Sequence, residues 1–95
     1  MDQSKTRVVI IVNPQGIHLR PADLFAKLAN KFQSNIEVQK GYESFDGKSV
    51  LSVLTLAAQQ GTELTLKASG PDAEEALAAL AQLVERGFDE MNPAN

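Results

Sequence analysis

Val8-Val9-Ile10-Ile11-Val12-Asn13-Pro14-Gln15-Gly16-Ile17-His18-Leu19-Arg20-Pro21-Ala22 changes character partway along, and that change sets the opening of the fold. Its first five residues are all β-branched and predict a strand from about Thr6 to Val12. Val8, Ile10 and Val12 share one face and Val9 and Ile11 the other, so both faces are expected to be partly covered. Pro21 suits the first turn of a helix, where its missing N–H costs nothing. Leu24, Phe25, Leu28, Ala29 and Phe32 then follow at i, i+3, i+4 spacing. They predict a helix from Leu19 or Arg20 to Phe32, ending near Gln33-Ser34-Asn35.

Beyond that helix the periodicity alternates between two and three-to-four. Ile36-Glu37-Val38-Gln39-Lys40 alternates as a half-buried strand, Gly41-Tyr42 offers a turn, and Glu43-Ser44-Phe45-Asp46 a short return strand. After the Asp46-Gly47 turn, Ser49 is placed as an N-cap. Val50, Leu51, Val53, Leu54 and Ala57 give helical spacing up to a stop at Gly61. Glu63 to Ala68 alternates again, with Leu64, Leu66 and Ala68 on the core face. Gly70-Pro71-Asp72 breaks that strand, and Asp72 with Glu75 resembles a capping box in which Asp replaces Ser or Thr. Ala73, Ala76, Leu77, Leu80, Leu83 and Val84 form the buried stripe of a last helix, which stops at Gly87. The order βαββαβα, with three amphipathic helices needing one sheet face to bury against, predicts a two-layer α+β domain.

Ninety-five residues suffice for one small domain and not two, so residues 1–95 are read as a single unit with an ordered core from about 5 to 88. The polar ends Met1–Ser4 and Asn92–Asn95 are expected to be loose. A hydrophobic fraction of 43% supports a real core. The net charge of −3 argues against nucleic acid or an anionic membrane as partner. Without Cys there is no disulfide framework, thiolate metal site or cysteine nucleophile, and a single His makes a zinc site improbable. No apolar run reaches membrane-spanning length and the N-terminus lacks a signal-peptide core, so a cytoplasmic protein is the expectation, and a self-contained charged domain of this size is expected to be a monomer.

Candidate chemistry centres on His18, the one histidine of the chain. Singly, Gly16 reads as a turn residue, Pro21 as a helix starter and Arg20 as a solvated charge. Together they set a neutral imidazole at a helix N-terminus, whose free N–H groups and dipole favour an anion. Arg20 adds a guanidinium suited to phosphate oxygens. That set can hold a phosphoryl group as a reactive phosphoramidate and pass it on. No second catalytic group, Gly-rich phosphate loop or metal cluster accompanies it, which favours a carrier over an independent enzyme, hydrolase or metalloprotein.

Gly16-Ile17-His18-Leu19-Arg20-Pro21-Ala22 resembles the active-site signature of the histidine-containing phosphocarrier (HPr) family of the bacterial phosphoenolpyruvate-dependent sugar phosphotransferase system. Gly47-Lys48-Ser49-Val50-Leu51-Ser52-Val53-Leu54-Thr55-Leu56 is similar to that family's regulatory-serine region, and Gly61-Thr62-Glu63-Leu64 to its next strand. The resemblance runs from about Lys5 to Phe88. It implies an open-faced sandwich, with three helices on one face of a four-stranded antiparallel sheet.

It further implies a non-enzymatic carrier without cofactor or metal, phosphorylated on His18 at the ring nitrogen nearer the backbone. Leu19 and Arg20 would hold the phosphoryl oxygens through backbone or side chain. Enzyme I would be the donor and EIIA components the acceptors. Ser49 would be the target of an HPr kinase/phosphorylase. Val50, Leu51, Leu54, Thr55 and Ala58 match family positions around the histidine. Of these Val50, Leu51 and Leu54 are assigned to partner contact, leaving Val53 and Leu56 to the core. Three departures bear on partner choice. Leu19 replaces a small residue, Asp23 a small or apolar one, and Ala57 stands where Gly is frequent. Phe88-Asp89-Glu90 and Gly70-Pro71 resemble the nitrogen-branch carriers of the family, an alternative pathway. A purely regulatory relative is the other alternative, against which the intact histidine argues.

Overall fold

Alternation along the strands decides which way the sheet faces. The computed structural model describes residues 4–90. Four strands, β1 (Ser4–Ile10), β2 (Asn35–Lys40), β3 (Glu43–Asp46) and β4 (Glu63–Ser69), form one antiparallel sheet in the order β1-β4-β2-β3. Register pairs Val9 with Leu64, Val38 with Leu66 and Ile36 with Ala68, and all six side chains are buried. The helices α1 (Leu19–Ala29), α2 (Val50–Thr55) and α3 (Ala73–Glu85) complete the order βαββαβα read from the sequence. Phe25, Leu56, Leu80 and Phe88 fill the space between helices and sheet.

Six local expectations are corrected. The strand placed at Thr6–Val12 runs from Ser4 to Ile10, and the Ser4 hydroxyl lies 2.7 Å from that of Ser69. Of the two ends expected to be loose, Ser4 thus belongs to β1, while Met1–Gln3 and Asn92–Asn95 lie outside the described residues. Both faces of β1 are expected to be partly covered, and the cover is uneven: Val9 and Ile11 are buried, whereas Val8 is 55% and Ile10 43% exposed. One layer of helices can cover only one face of a sheet, so the outward Val8 and Ile10 stay open.

The first helix stops at Ala29 instead of Phe32. Asn30 Nδ2 donates to the Ala26 carbonyl at 2.7 Å and to the Lys48 carbonyl at 2.9 Å, so the side chain competes for the last turn and ties it to the start of α2. The second helix is six residues long and does not reach Gly61. Its chain leaves at Ala57, which has φ 50°, the left-handed C′ geometry usually filled by Gly. This gives Ala57 a strain cost of about 1 kcal/mol that Gly would not carry.

The capping box expected at Asp72 and Glu75 is absent. Asp72 makes no side-chain cap bond to α3. Its carboxylate instead accepts from Ser34 Oγ at 2.6 Å, Gln33 N at 2.8 Å and Ser34 N at 2.9 Å. The Ser34 hydroxyl first, and then the Gln33 N–H, hold this carboxyl below its usual range. The donors just past α1 needed an acceptor, and that demand overrode the local pattern. The stripe Ala73, Ala76, Leu77, Leu80, Leu83 and Val84 is buried as expected.

Candidate functional site

His18 is the N-cap residue of α1, in extended conformation at φ −104° and ψ −165°. The geometry begins two residues earlier. Gly16 has φ +67°, and a Cβ there would run into the Ala58 carbonyl oxygen. That carbonyl accepts from Ile17 N at 2.8 Å, so a residue with a side chain at 16 would push the loop off its seat. Ile17 is buried and anchors the turn from which His18 emerges.

The His18 carbonyl accepts the first helical bond from Ala22 N at 3.0 Å. The His18 side chain caps nothing. Pro21 occupies the third helical position, where an N–H would otherwise seek the N-cap side chain. The backbone N–H groups of Leu19 and Arg20 point out of the first turn without an acceptor among the described residues. His18 is 38% exposed at its side chain. Arg20 is exposed, and its guanidinium makes no ion pair or hydrogen bond among the described residues. It lines two shallow depressions, one with His18, Leu19 and Asp23, the other with Pro14, Gln15, Asp89 and Glu90.

A carboxylate completes this cluster. Glu90 Oε2 lies 2.8 Å from His18 Nε2, and Glu90 Oε1 accepts from Asn13 Nδ2 at 2.9 Å. Asn13 is fully buried, and its amide also donates to the Gly16 carbonyl at 2.7 Å. Glu90 reaches the site through a left-handed turn, in which Gly87, Phe88 and Asp89 have φ of 66°, 56° and 63°. Left-handed backbone costs an ordinary residue about 1–2 kcal/mol, and the complete burial of Phe88 is what holds it. Sequence reading missed Asn13 and Glu90 as site residues. The one available signal for Asn13 was an amide directly after a β-branched run, and the turn that delivers Glu90 has none.

The other predicted residues are distributed as follows. Asp23, which departs from the small or apolar residue expected there, is paired with Lys27 at 2.9 Å one helical turn on. Leu19 is 63% exposed beside the imidazole. Ser49 is the N-cap of α2, and its Oγ accepts from Ser52 N at 3.2 Å. Leu51 is 74% exposed, Val50 and Leu54 are half-buried against the core, and Val53 and Leu56 are buried. Ala58, matched to a family position around the histidine, is buried and acts through its carbonyl. Helices α1 and α2 pack side by side, so the apolar surface of α2 belongs to the same side of the molecule as α1.

Known proteins resemble this chain over most of its length. A family model described as the PTS HPr component phosphorylation site matches residues 5–86. The phosphocarrier protein HPr of Pseudomonas aeruginosa is 40% identical over 83 residues, 86% of this chain and 92% of that protein. The phosphoryl donor subunit DhaM of a PEP-dependent dihydroxyacetone kinase from Providencia stuartii is 34% identical over 87 residues, which are 92% of this chain and only 18% of that subunit. Among solved structures, HPr-C-His from Thermoanaerobacter tengcongensis superposes with a TM-score of 0.88 at 40% identity, covering 93% of this chain and 99% of that one. With the fold, the strand order and nearly the full length in common, the chain belongs to the HPr family of phosphotransferase-system phosphocarriers.

Proposed function

We propose that this protein accepts a phosphoryl group on His18 from phosphorylated enzyme I and passes it to EIIA components in phosphoenolpyruvate-dependent sugar uptake. The observation that carries this reading is the half-exposed, non-capping imidazole of His18, set against two helix N–H groups and an Arg20 guanidinium that have no partner among the described residues. Leu19 and Arg20 N–H groups and the Arg20 side chain hold the phosphoryl oxygens during in-line transfer. Their exposure keeps the hold shallow, and a carrier needs that, because a deep ground-state well slows donation. The protein works as a monomer in the cytoplasm. Leu51, with Val50 and Leu54 at its flanks, supplies apolar contact to both partners.

Ser49 is the second phosphorylation point of this reading, acted on by an HPr kinase/phosphorylase. A phosphate at the start of α2 is compatible with the helix and sets negative charge next to Val50 and Leu51, where it opposes docking. A nitrogen-branch role is the alternative, supported by the C-terminal Phe88-Asp89-Glu90 and the Gly70-Pro71 step. The deciding experiment is intact mass after incubation with phosphoenolpyruvate and enzyme I. One acid-labile phosphoryl group is expected on the wild type and none on His18→Ala. An adduct that survives in His18→Ala, or its absence from the wild type with sugar-branch and nitrogen-branch donors alike, sinks the reading.

A further inference from the structure

Glu90 lies 72 positions from His18 in sequence, and its carboxylate nevertheless closes on one particular ring nitrogen. We infer that Glu90 is a positioning residue for His18, holding the Nε2 proton so that the lone pair sits on Nδ1; this rests on the carrier reading above. An ionised carboxylate can only accept, so the nitrogen it touches at 2.8 Å is a donor. A neutral imidazole has a single N–H. With that hydrogen on Nε2, Nδ1 is the nucleophile.

The arrangement is braced from behind. The buried Asn13 amide donates to Glu90 Oε1 and to the Gly16 carbonyl, linking the carboxylate to the loop that carries His18. The left-handed turn Gly87–Asp89 aims Glu90 back at the ring, and Arg86 holds Asp89 at 3.0 Å, so the second acidic side chain of the turn has its own partner. A carboxylate that orients a reacting imidazole through its second nitrogen is a general device for setting tautomer and stabilising developing positive charge.

The balance of the transfer fits. The Nδ1 lone pair forms the new N–P bond while the bond from phosphorus to the donor protein breaks, its electron pair returning to the donor's leaving group. The Nε2 proton stays in place throughout. The positive charge then carried by the phosphorylated ring lies against Glu90, and onward transfer runs the same sequence in reverse.

The test uses the full-length protein labelled with 15N at histidine, as wild type, Glu90→Gln and Glu90→Ala. Each is measured by NMR of the ring nitrogens and by the rate of phosphoryl uptake from phosphorylated enzyme I. The wild type is expected to show an Nε2–H tautomer with a proton slow to exchange. Glu90→Ala is expected to lose that protection and to take up phosphate roughly tenfold more slowly, the worth of one charge-assisted hydrogen bond. Glu90→Gln, whose amide oxygen still accepts, is expected to fall between. Unchanged melting temperatures establish that all three are folded. Wild-type uptake in Glu90→Ala overturns the inference alone. So does slower uptake with the Nε2 signal unmoved, which would place Glu90 in docking. A wild type that takes up no phosphoryl group overturns the carrier reading and this inference together.

Discussion

The starts of α1 and α2 have nearly the same N-cap φ, −104° at His18 and −105° at Ser49, and opposite fates for the side chain. Ser49 Oγ accepts from the N–H of Ser52, the third helical residue, and its capacity is absorbed by its own helix. At α1 the third helical residue is Pro21, which has no N–H to offer. His18 is thereby left free of local duty, and its ring is taken up by Glu90 from the far end of the chain. A third start shows another outcome, since Asp72 at the head of α3 turns away from its helix to the Gln33 and Ser34 donors. Which way a cap side chain turns in this fold depends on the donors its own helix offers and on the partners that other segments bring.

The largest effect that can break this contrast is His18→Ser, which gives α1 the residue type that caps α2. Phosphoryl uptake measured by intact mass is expected to vanish. Stability in urea should move by no more than about 1 kcal/mol, because Arg20 is the one early donor left for the new hydroxyl. Ser49→Ala is the converse. It should cost about 1 kcal/mol of unfolding free energy through the lost cap while His18 still takes up its phosphoryl group. A normal urea midpoint in Ser49→Ala would mean that the cap bond contributes nothing.

At the other end of α2, Ala57→Gly is expected to stabilise by about 0.5–1 kcal/mol by relieving the left-handed backbone at φ 50°, read as a raised urea midpoint with unchanged slope. The smallest expected effect is at Asp72, whose folded-state carboxyl titrates below its ordinary value of 3.8. The unfolded chain therefore binds the proton more readily. The stabilisation is complete above the ordinary value and is lost as pH falls through the lower folded one. Asp72→Asn should flatten the acid side of a stability-against-pH curve and leave the neutral side nearly level.

His18, Arg20 and Pro21 were legible in the sequence because their relation is local. One helix start and a few residues around it suffice to set an imidazole beside free N–H groups and a guanidinium. The alternating strands and the stripe of α3 were legible for the same reason, since a period is a property of neighbours. The covered face of β1, the early stops of α1 and α2 and the diversion of Asp72 were not, because each depends on what another segment brings. Asn30 reaches Lys48, Asp72 reaches Ser34, and a single helical layer leaves Val8 and Ile10 outside.

By itself the sequence determined the order of elements, the placement of a histidine at a helix start and the family to which these motifs point. These follow from residue type and short spacing, which act before any distant contact forms. Only the tertiary structure decided which nitrogen of that histidine is occupied. Bringing Glu90 to His18 takes the whole domain, from the buried Phe88 that forces a left-handed turn to the buried Asn13 that receives the carboxylate. A hydrogen bond across 72 positions has no pattern in the chain to announce it, because its geometry is set by the packed core between its partners.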